Sequence, residues 1–263
     1  LFLAVTMFAC SDDDSSDTND NNNNSSTKKI ISIQVVEDVD NICLDGSNFT
    51  FSYSGDDITS LTRNPWVSPC PNTNQTSWLY GSGTMVTNYI YSSNKIVVSS
   101  EFDYYNGYEH HFDDNGLLTT ISSIYSAYVD DDVIFQNGKL LALSGHNFVW
   151  LNNNLVQTSI ASATISYNYS NIDNKTDFIS QFFYPSGDLI FGLQIPLIKK
   201  GLLGELSSKL PSSCTISDPA FGHINLNYEY ILDDEGYPIY ISVTKYYGGD
   251  RETKVILELT YTN

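Results

Sequence analysis

The chain reads as a mainly β protein, a long curved antiparallel hairpin meander packed against a single α-helix in its C-terminal half. Short runs alternate apolar with polar residues, turn residues separate those runs, and one late segment carries a helical period instead. With 41% hydrophobic and 16% charged residues, the 263-residue chain has enough apolar material for a sizeable core. Its 19 Tyr and 13 Phe suit half-buried strand surfaces.

Residues 1–9, Leu-Phe-Leu-Ala-Val-Thr-Met-Phe-Ala, are an apolar run too short to span a bilayer and read as a signal peptide remnant. Cys10 follows Met7-Phe8-Ala9, a sequence that resembles a relaxed bacterial lipobox and makes Cys10 the expected lipidation site. From Ser11 to Thr27 stand five Asp, five Asn, five Ser and two Thr, with no apolar residue. Such a stretch buries nothing to offset its ordering entropy, so residues 10–27 are expected to be a lipidated Cys plus a disordered acidic tether. As a coil it reaches about 20–25 Å. The run Ser11-Asp12-Asp13-Asp14 resembles the acidic export signal of surface lipoproteins in Bacteroidetes. That resemblance implies a lipid-anchored outer-membrane protein exposed at the cell surface, the other reading being an acidic linker facing the periplasm.

Residues 28–263 read as a single all-β domain. Phe49-x-Phe51-x-Tyr53, Tyr108-x-His110-x-Phe112, Ile165-x-Tyr167-x-Tyr169 and Tyr228-x-Tyr230 each alternate as strands do. Asn115-Gly116 and Asn137-Gly138 are strong hairpin signals, since a type I′ turn needs positive φ at both central residues. Gly55-Asp56, Ser93-Asn94, Asn152-Asn153-Asn154, Ser186-Gly187 and Glu235-Gly236 are weaker ones. An imperfect repeat joins them: an aromatic, a polar or Gly turn, then aliphatic residues. His111-Phe112-Asp113-Asp114-Asn115-Gly116-Leu117-Leu118 and Tyr230-Ile231-Leu232-Asp233-Asp234-Glu235-Gly236-Tyr237 show it. Between Pro196 and Pro211, Ile198, Leu202, Leu206 and Leu210 recur at i+4, which predicts an amphipathic helix over 197–210. That helix would cover the sheet, with Gly201 and Gly204 allowing close approach.

Leu210-Pro211-Ser212-Ser213, then Tyr228-x-Tyr230-x-x-Asp233-x-x-Gly236-Tyr237-Pro238, resembles the C-terminal signature of a family of Bacteroidetes lipoproteins of unknown function. The hairpin phrase also resembles the Tyr-Asp repeats of bacterial toxin shells, without their Gly-Arg-Leu. The resemblance implies a meander curled around one late helix and supplies no catalytic residue.

The formal net charge of −19 disfavours nucleic acid and direct adsorption to anionic surfaces as partners. Cys43, Cys70 and Cys214 remain after Cys10, and of three single-bridge pairings Cys43–Cys70 is expected, contributing roughly 3–3.5 kcal/mol in the entropic account. Glu109, His111 and Asp113 share a strand face, yet a solvated face is the expected reading and no metal site is assigned. Ser92-x-x-Lys95 straddles a hairpin turn, so it lacks the helix that a Ser-Lys nucleophile pair requires. Trp66 and Trp78 sit in a long Pro- and Asn-rich stretch, 64–83, and are the candidate ligand-binding residues.

The sequence thus predicts a surface-anchored envelope lipoprotein, a non-catalytic binding or structural module without a cofactor. Its expected partners are the membrane, through the N-terminal lipid, and a glycan or a protein. Two alternatives are a glycan-binding accessory protein using the aromatic loop at 64–83 and a carrier of an apolar ligand between sheet and helix.

Overall fold

In the computed structural model the described residues are 28–39, 42–43, 46–66, 83–101, 107–123, 133–143, 145–160, 163–176, 200–219, 222–247 and 251–262. The expected export signal, Cys10 and the tether lie outside them, as do Cys70, Trp78 and the turn at Ser186-Gly187.

Among the described residues seventeen strands form one sheet. They are β1 (Ile30–Val39), β2 (Ile42–Cys43), β3 (Gly46–Ser54), β4 (Asp57–Trp66), β5 (Met85–Tyr91), β6 (Lys95–Ser100), β7 (Tyr108–Phe112), β8 (Leu118–Ser123) and β9 (Ile134–Gln136). The second half comprises β10 (Lys139–Leu143), β11 (His146–Leu151), β12 (Asn154–Ile160), β13 (Ala163–Asp173), β14 (Lys209–Asp218), β15 (Gly222–Leu232), β16 (Pro238–Tyr247) and β17 (Arg251–Tyr261). Both β2 and β3 pair with β1, so they continue one another and the meander has 16 strand positions. Neighbours in sequence pair antiparallel from β3 to β8 and from β9 to β17. The first and last strands also pair, Ile33 opposite Leu259 and Val35 opposite Leu257, which joins the two runs. The meander predicted from the alternating runs is therefore present.

Antiparallel order puts alternate connections at one end. At the turn end lie Gly55-Asp56, Ser93-Asn94, the 113–117 turn, Asn137-Gly138, Asn152-Asn153, the 233–237 turn, and the places where Lys28 enters and Thr262 leaves. Asn137 and Gly138 have φ of 52° and 77°, and Asn152 and Asn153 have 49° and 60°, the left-handed pairs that two-residue hairpins need. Two other turns repeat one device. Asp113 Oδ1 accepts the N–H groups of Asn115 and Leu117 at 2.9 Å each. Asp233 Oδ1 accepts those of Glu235 and Tyr237 at 3.0 and 2.8 Å. These are the two phrases aligned as a repeat in the sequence.

At this end an aromatic side chain bonds across most neighbouring strands that no turn joins there. Tyr53 Oη donates to the Ile30 carbonyl at 2.7 Å, Tyr91 to Ile58 at 2.8 Å and Tyr169 to Leu155 at 2.6 Å. Tyr230 donates to Pro211 at 2.7 Å, Tyr261 to Pro238 at 2.8 Å, and the Trp150 indole to Leu140 at 2.8 Å. The donors lie in strands running toward the turn end, Tyr91 and Tyr261 as the final residues and Tyr169 four residues before the end of β13, and each acceptor lies within the first three residues of the neighbouring strand that leaves it. Each ring is half-buried while its polar tip finds a partner.

The predicted helix over 197–210 is absent among the described residues. Residues 200–203 are turn, and Leu210 lies in β14. Gly201 and Gly204 adopt φ of 74° and 73°, which a right-handed helix cannot contain. The i+4 spacing has another cause: Leu202 is buried where the chain crosses the turn end, and Leu210 is buried after it drops into the sheet. This crossing segment touches turn after turn. Lys200 Nζ meets Asp57 Oδ1 at 2.7 Å, Leu118 N–H donates to the Leu202 carbonyl at 2.9 Å, and Glu205 N–H donates to Gly138 at 2.8 Å. Ser208 N–H then donates to Asn153 at 3.1 Å. Nine residues span at most about 30 Å, so β8 and β9, at the two ends of the run of pairings, are brought together and the sheet curls round.

The inner face is mostly apolar, with Arg63, Thr87, Ser100 and His110 buried on it. Ile33, Ile58, Ile96, Leu140, Leu226, Val243 and Leu257 are 0–1% exposed and belong to one cluster with Leu202, Leu203 and Leu210. The outer face carries Asn48, Thr50, Ser52, Asn88, Ser99, Ser166, Asn168, Asn225 and Asn227, all exposed.

Gly204 tests the crossing segment. A Cβ there would stand 2.3 Å from the Gly138 carbonyl oxygen, whereas at Gly201 it would meet nothing within 4 Å. Gly201→Ala is expected to cost about 1–2 kcal/mol through its backbone alone, and Gly204→Ala about 3 kcal/mol or more. Denaturant unfolding of both variants checks the order; equal losses would mean that the close approach at Gly138 does not matter.

Candidate functional site

The residues singled out in the sequence separate into those that the structure places and those that it does not describe. Cys43 lies in β2, its backbone opposite Asp38. Trp66 ends β4 opposite Gly46, at the end of the sheet away from the turns. The Cys43–Cys70 bridge and Trp78 fall on residues outside the description. Cys214 is buried with its thiol unbonded, facing inward between Tyr167 and Leu226, and burial pushes its pKa up to about 12. Such a thiol is a core side chain with little thiolate character.

Polar groups considered for chemistry are engaged structurally. Lys95 Nζ bonds Glu109 Oε1 at 2.8 Å, and His111 Nε2 stands 3.2 Å from Glu109 Oε2. The Lys95 hydrogen bond holds the Glu109 carboxyl below its usual range. Asp113 is spent on its own turn, where the Leu117 N–H holds its carboxyl low. Ser92 Oγ donates to the Lys95 carbonyl at 3.0 Å, so this pair is a hairpin turn. Among the described residues no group of three or more His, Cys, Asp or Glu side chains could hold a metal ion. The groove between sheet and helix, proposed above for an apolar ligand, has no helix among the described residues. Leu202 and Leu203 of the crossing segment are buried at that end instead.

Ser207 anchors the crossing segment. It is 3% exposed; its Oγ accepts the Leu155 N–H at 3.0 Å and lies 2.9 Å from Tyr169 Oη. Asn154 Oδ1 accepts the Lys209 N–H at 3.1 Å and the Ser208 hydroxyl at 3.2 Å. Ion pairs rim the same end: Lys28 with Asp233 and Glu235 at 2.8 and 2.9 Å, Lys29 with Asp56 at 2.8 Å, and Lys139 with Glu205 at 3.2 Å. These contacts close the end from which residue 28 emerges.

The second polar constellation lies outside, on β12 to β16. Register aligns Gln157, Ser166, Thr215, Asn225 and Tyr246 in one row across five strands. A second row is Asn168, Ser213, Asn227 and Thr244. Asn168 Nδ2 donates to Ser213 Oγ at 3.0 Å, Thr215 Oγ1 donates to Asn225 Oδ1 at 3.0 Å, and Ser217 Oγ pairs with His223 Nδ1 at 3.0 Å. Neither row contains Lys, Arg, Asp or Glu up to β16; Glu229 is exposed in the same outward set on β15, and Tyr246 and Thr244 stand opposite Glu252 and Lys254 of β17. Nothing in the sequence marked this face, because its residues look like ordinary outward strand positions until the register sets them side by side.

One buried base remains. His110 is 2% exposed among apolar side chains, and burial pushes its imidazole pKa down from 6.5 to about 4. The unfolded chain takes up a proton near pH 6.5 and the folded one only near pH 4. Stability contributed by neutral burial is therefore full above 6.5 and falls by up to about 3 kcal/mol as pH drops to 4. Thermal unfolding between pH 7 and 4 is expected to show this slope, and His110→Leu to flatten it. A variant with an unchanged slope would place the effect elsewhere.

The sequence matches no known protein-family description, and no curated protein sequence matches it. Solved structures do match. The crystal structure of a porin-like protein from Bacteroides uniformis superimposes with a TM-score of 0.60 at 15% identity, covering 89% of this chain and 98% of that one. A porin-like protein from Bacteroides vulgatus aligns over the same shares at 14% identity with a TM-score of 0.30. The first likeness places this chain in the fold of that Bacteroides protein, and it carries no activity across.

Proposed function

We propose that the chain is a lipid-anchored protein of the outer membrane, exposed at the cell surface, whose barrel stands in water as a non-catalytic binding or structural module. The observation that carries this reading is the direction of its amphipathicity. A barrel that crosses a membrane presents apolar side chains outward and polar ones to its lumen. Here Asn, Ser and Thr stand at many outward positions, with Ile90, Val149, Leu151 and Ile231 exposed among the strands near the turn end, while most Ile, Leu and Val are buried inside. Lipid around such a surface would leave those polar groups unsolvated. The likeness in fold to a Bacteroides porin-like protein, together with the lipobox-like Met7-Phe8-Ala9-Cys10 and the acidic run after it, supports an outer-membrane address. Leu210-Pro211-Ser212-Ser213 and the phrase from Tyr228 to Pro238 support membership among Bacteroidetes lipoproteins of unknown function.

Polarity of the barrel follows from where residue 28 joins it. A lipid on Cys10 would hold the turn end toward the membrane, leaving the end with Trp66 outward, about 30 Å away along β4. There the 64–83 stretch, with Trp66 and Trp78, would meet a glycan or protein partner; the chain's charge argues against nucleic acid.

Two measurements test the reading. Cys10→Ala is expected to move the protein from the membrane fraction to the soluble fraction without detergent and to end its labelling by radioactive palmitate. The purified protein is expected to give no conductance steps in planar bilayers. Stable ion-conducting steps, or a Cys10→Ala protein that still needs detergent for extraction, would overturn the proposal.

A further inference from the structure

We propose that Asn137-Gly138 is a site of spontaneous covalent modification, at which the turn that seats the crossing segment converts to isoaspartate and so releases that segment. The step needs only water. The Gly138 backbone nitrogen attacks Asn137 Cγ; the N–Cγ bond forms, the Cγ–Nδ2 bond breaks, and ammonia leaves with the proton that the Gly138 nitrogen gives up. Water then opens the cyclic imide at one of its two carbonyls. The product at position 137 is aspartate or, where the main chain now runs through the former side chain, isoaspartate. Glycine in second place leaves the attacking nitrogen unhindered and the backbone free to approach. The sequence holds two such pairs, Asn115-Gly116 and Asn137-Gly138, and the structure separates them.

At the first pair both reacting groups are tied. The Gly116 N–H donates to the Asp113 carbonyl at 2.9 Å, and Asn115 Nδ2 donates to Asp113 Oδ2 at 3.3 Å. The Asp113 carboxylate also opposes negative charge developing on the Gly116 nitrogen beside it. At the second pair Asn137 is exposed, and among the described residues neither its side chain nor the Gly138 N–H is held by another group. Glu205 lies against Gly138, and Lys139 offsets its charge at 3.2 Å. The crossing segment depends on this turn. The Gly138 carbonyl accepts the Glu205 N–H at 2.8 Å, and Gly204 packs on the same oxygen too closely to carry a Cβ. Isoaspartate inserts one carbon, about 1.5 Å, into the main chain before Gly138. A two-residue turn between the paired Gln136 and Lys139 cannot absorb that length and keep its carbonyl on Glu205.

The test is incubation of the purified full chain at mildly alkaline pH, in native buffer and in urea, followed by peptide mapping and labelling with an isoaspartate-directed methyltransferase. In native buffer isoaspartate is expected at position 137 about tenfold faster than at 115, the effect of the hydrogen bonds that hold Asn115 and Gly116. In urea those bonds are gone and the two rates should converge. Asp113→Ala should raise the rate at 115 toward that at 137 and leave 137 unchanged. Modified protein, separated by anion exchange, should exchange the Glu205 amide hydrogen about tenfold faster than unmodified protein, with β16 and β17 unaffected. Equal rates at the two sites in native buffer would overturn the proposal. So would an Asp113→Ala chain in which 115 stays slow, or a modified protein whose Glu205 amide is as protected as before.

Discussion

The hydrogen bond from a strand-ending aromatic to the carbonyl of its neighbour is the interaction on which the rest of the barrel depends. Tyr53, Tyr91, Trp150, Tyr169, Tyr230 and Tyr261 each make it at the turn end. A meander has no covalent device that stops one hairpin from sliding on the next, and a one-residue slip exchanges the inner and outer faces of a strand. A ring that must sit inward and whose polar tip must reach one particular carbonyl fixes the register at each hairpin. Its burial brings a large apolar area, and its hydrogen bond removes the cost of hiding a hydroxyl or indole N–H. Apolar-in, polar-out order then follows along each strand.

This constraint was legible in the sequence as a repeat before it was legible as a bond. The phrase of an aromatic followed by a polar turn was visible at Phe112 and Tyr230. Its meaning was not, because the acceptor is a carbonyl on another strand. The hairpin turns were readable for a local reason: Asn137-Gly138, Asn152-Asn153 and the two Asp-x-x-Gly turns satisfy their own backbone within five residues. The misread helix shows the opposite case. Leu202, Leu206 and Leu210 carry an i+4 pattern, yet what decides their conformation is non-local: the Gly138 carbonyl, Asp57, Asn153 and the core beneath. The glycines that seemed tolerable interruptions are the positions at which the backbone turns left-handed to reach those partners.

The polar face on β12 to β16 illustrates a further limit. Ser166, Thr215 and Asn225 are far apart in sequence and individually unremarkable on outward strand positions. Only the pairing Ser166↔Thr215↔Asn225↔Tyr246 makes a row of them. Composition reports the share of polar residues; it does not report which of them share a face. The aromatic residues in 64–83 drew attention because their surroundings are unusual in sequence, while these rows exist only in space.

A shared fold with a porin-like protein does not fix which face of the sheet meets which solvent. Strand count, pairing and closure are properties of backbone hydrogen bonding, and they are indifferent to whether the even or the odd positions are apolar. What assigns a sixteen-strand meander to lipid or to water is the phase of the alternation relative to the curl. In this chain the aromatic hydrogen bonds set that phase at the turn end, and Ile33, Ile96, Leu140, Leu226 and Leu257 carry it through the interior. Reversing it would require every strand to slip together, so the barrel's relation to its solvent is as firmly specified as its topology. The chain enters this sheet at Lys28, on the turn end, opposite the end at which Trp66 closes β4.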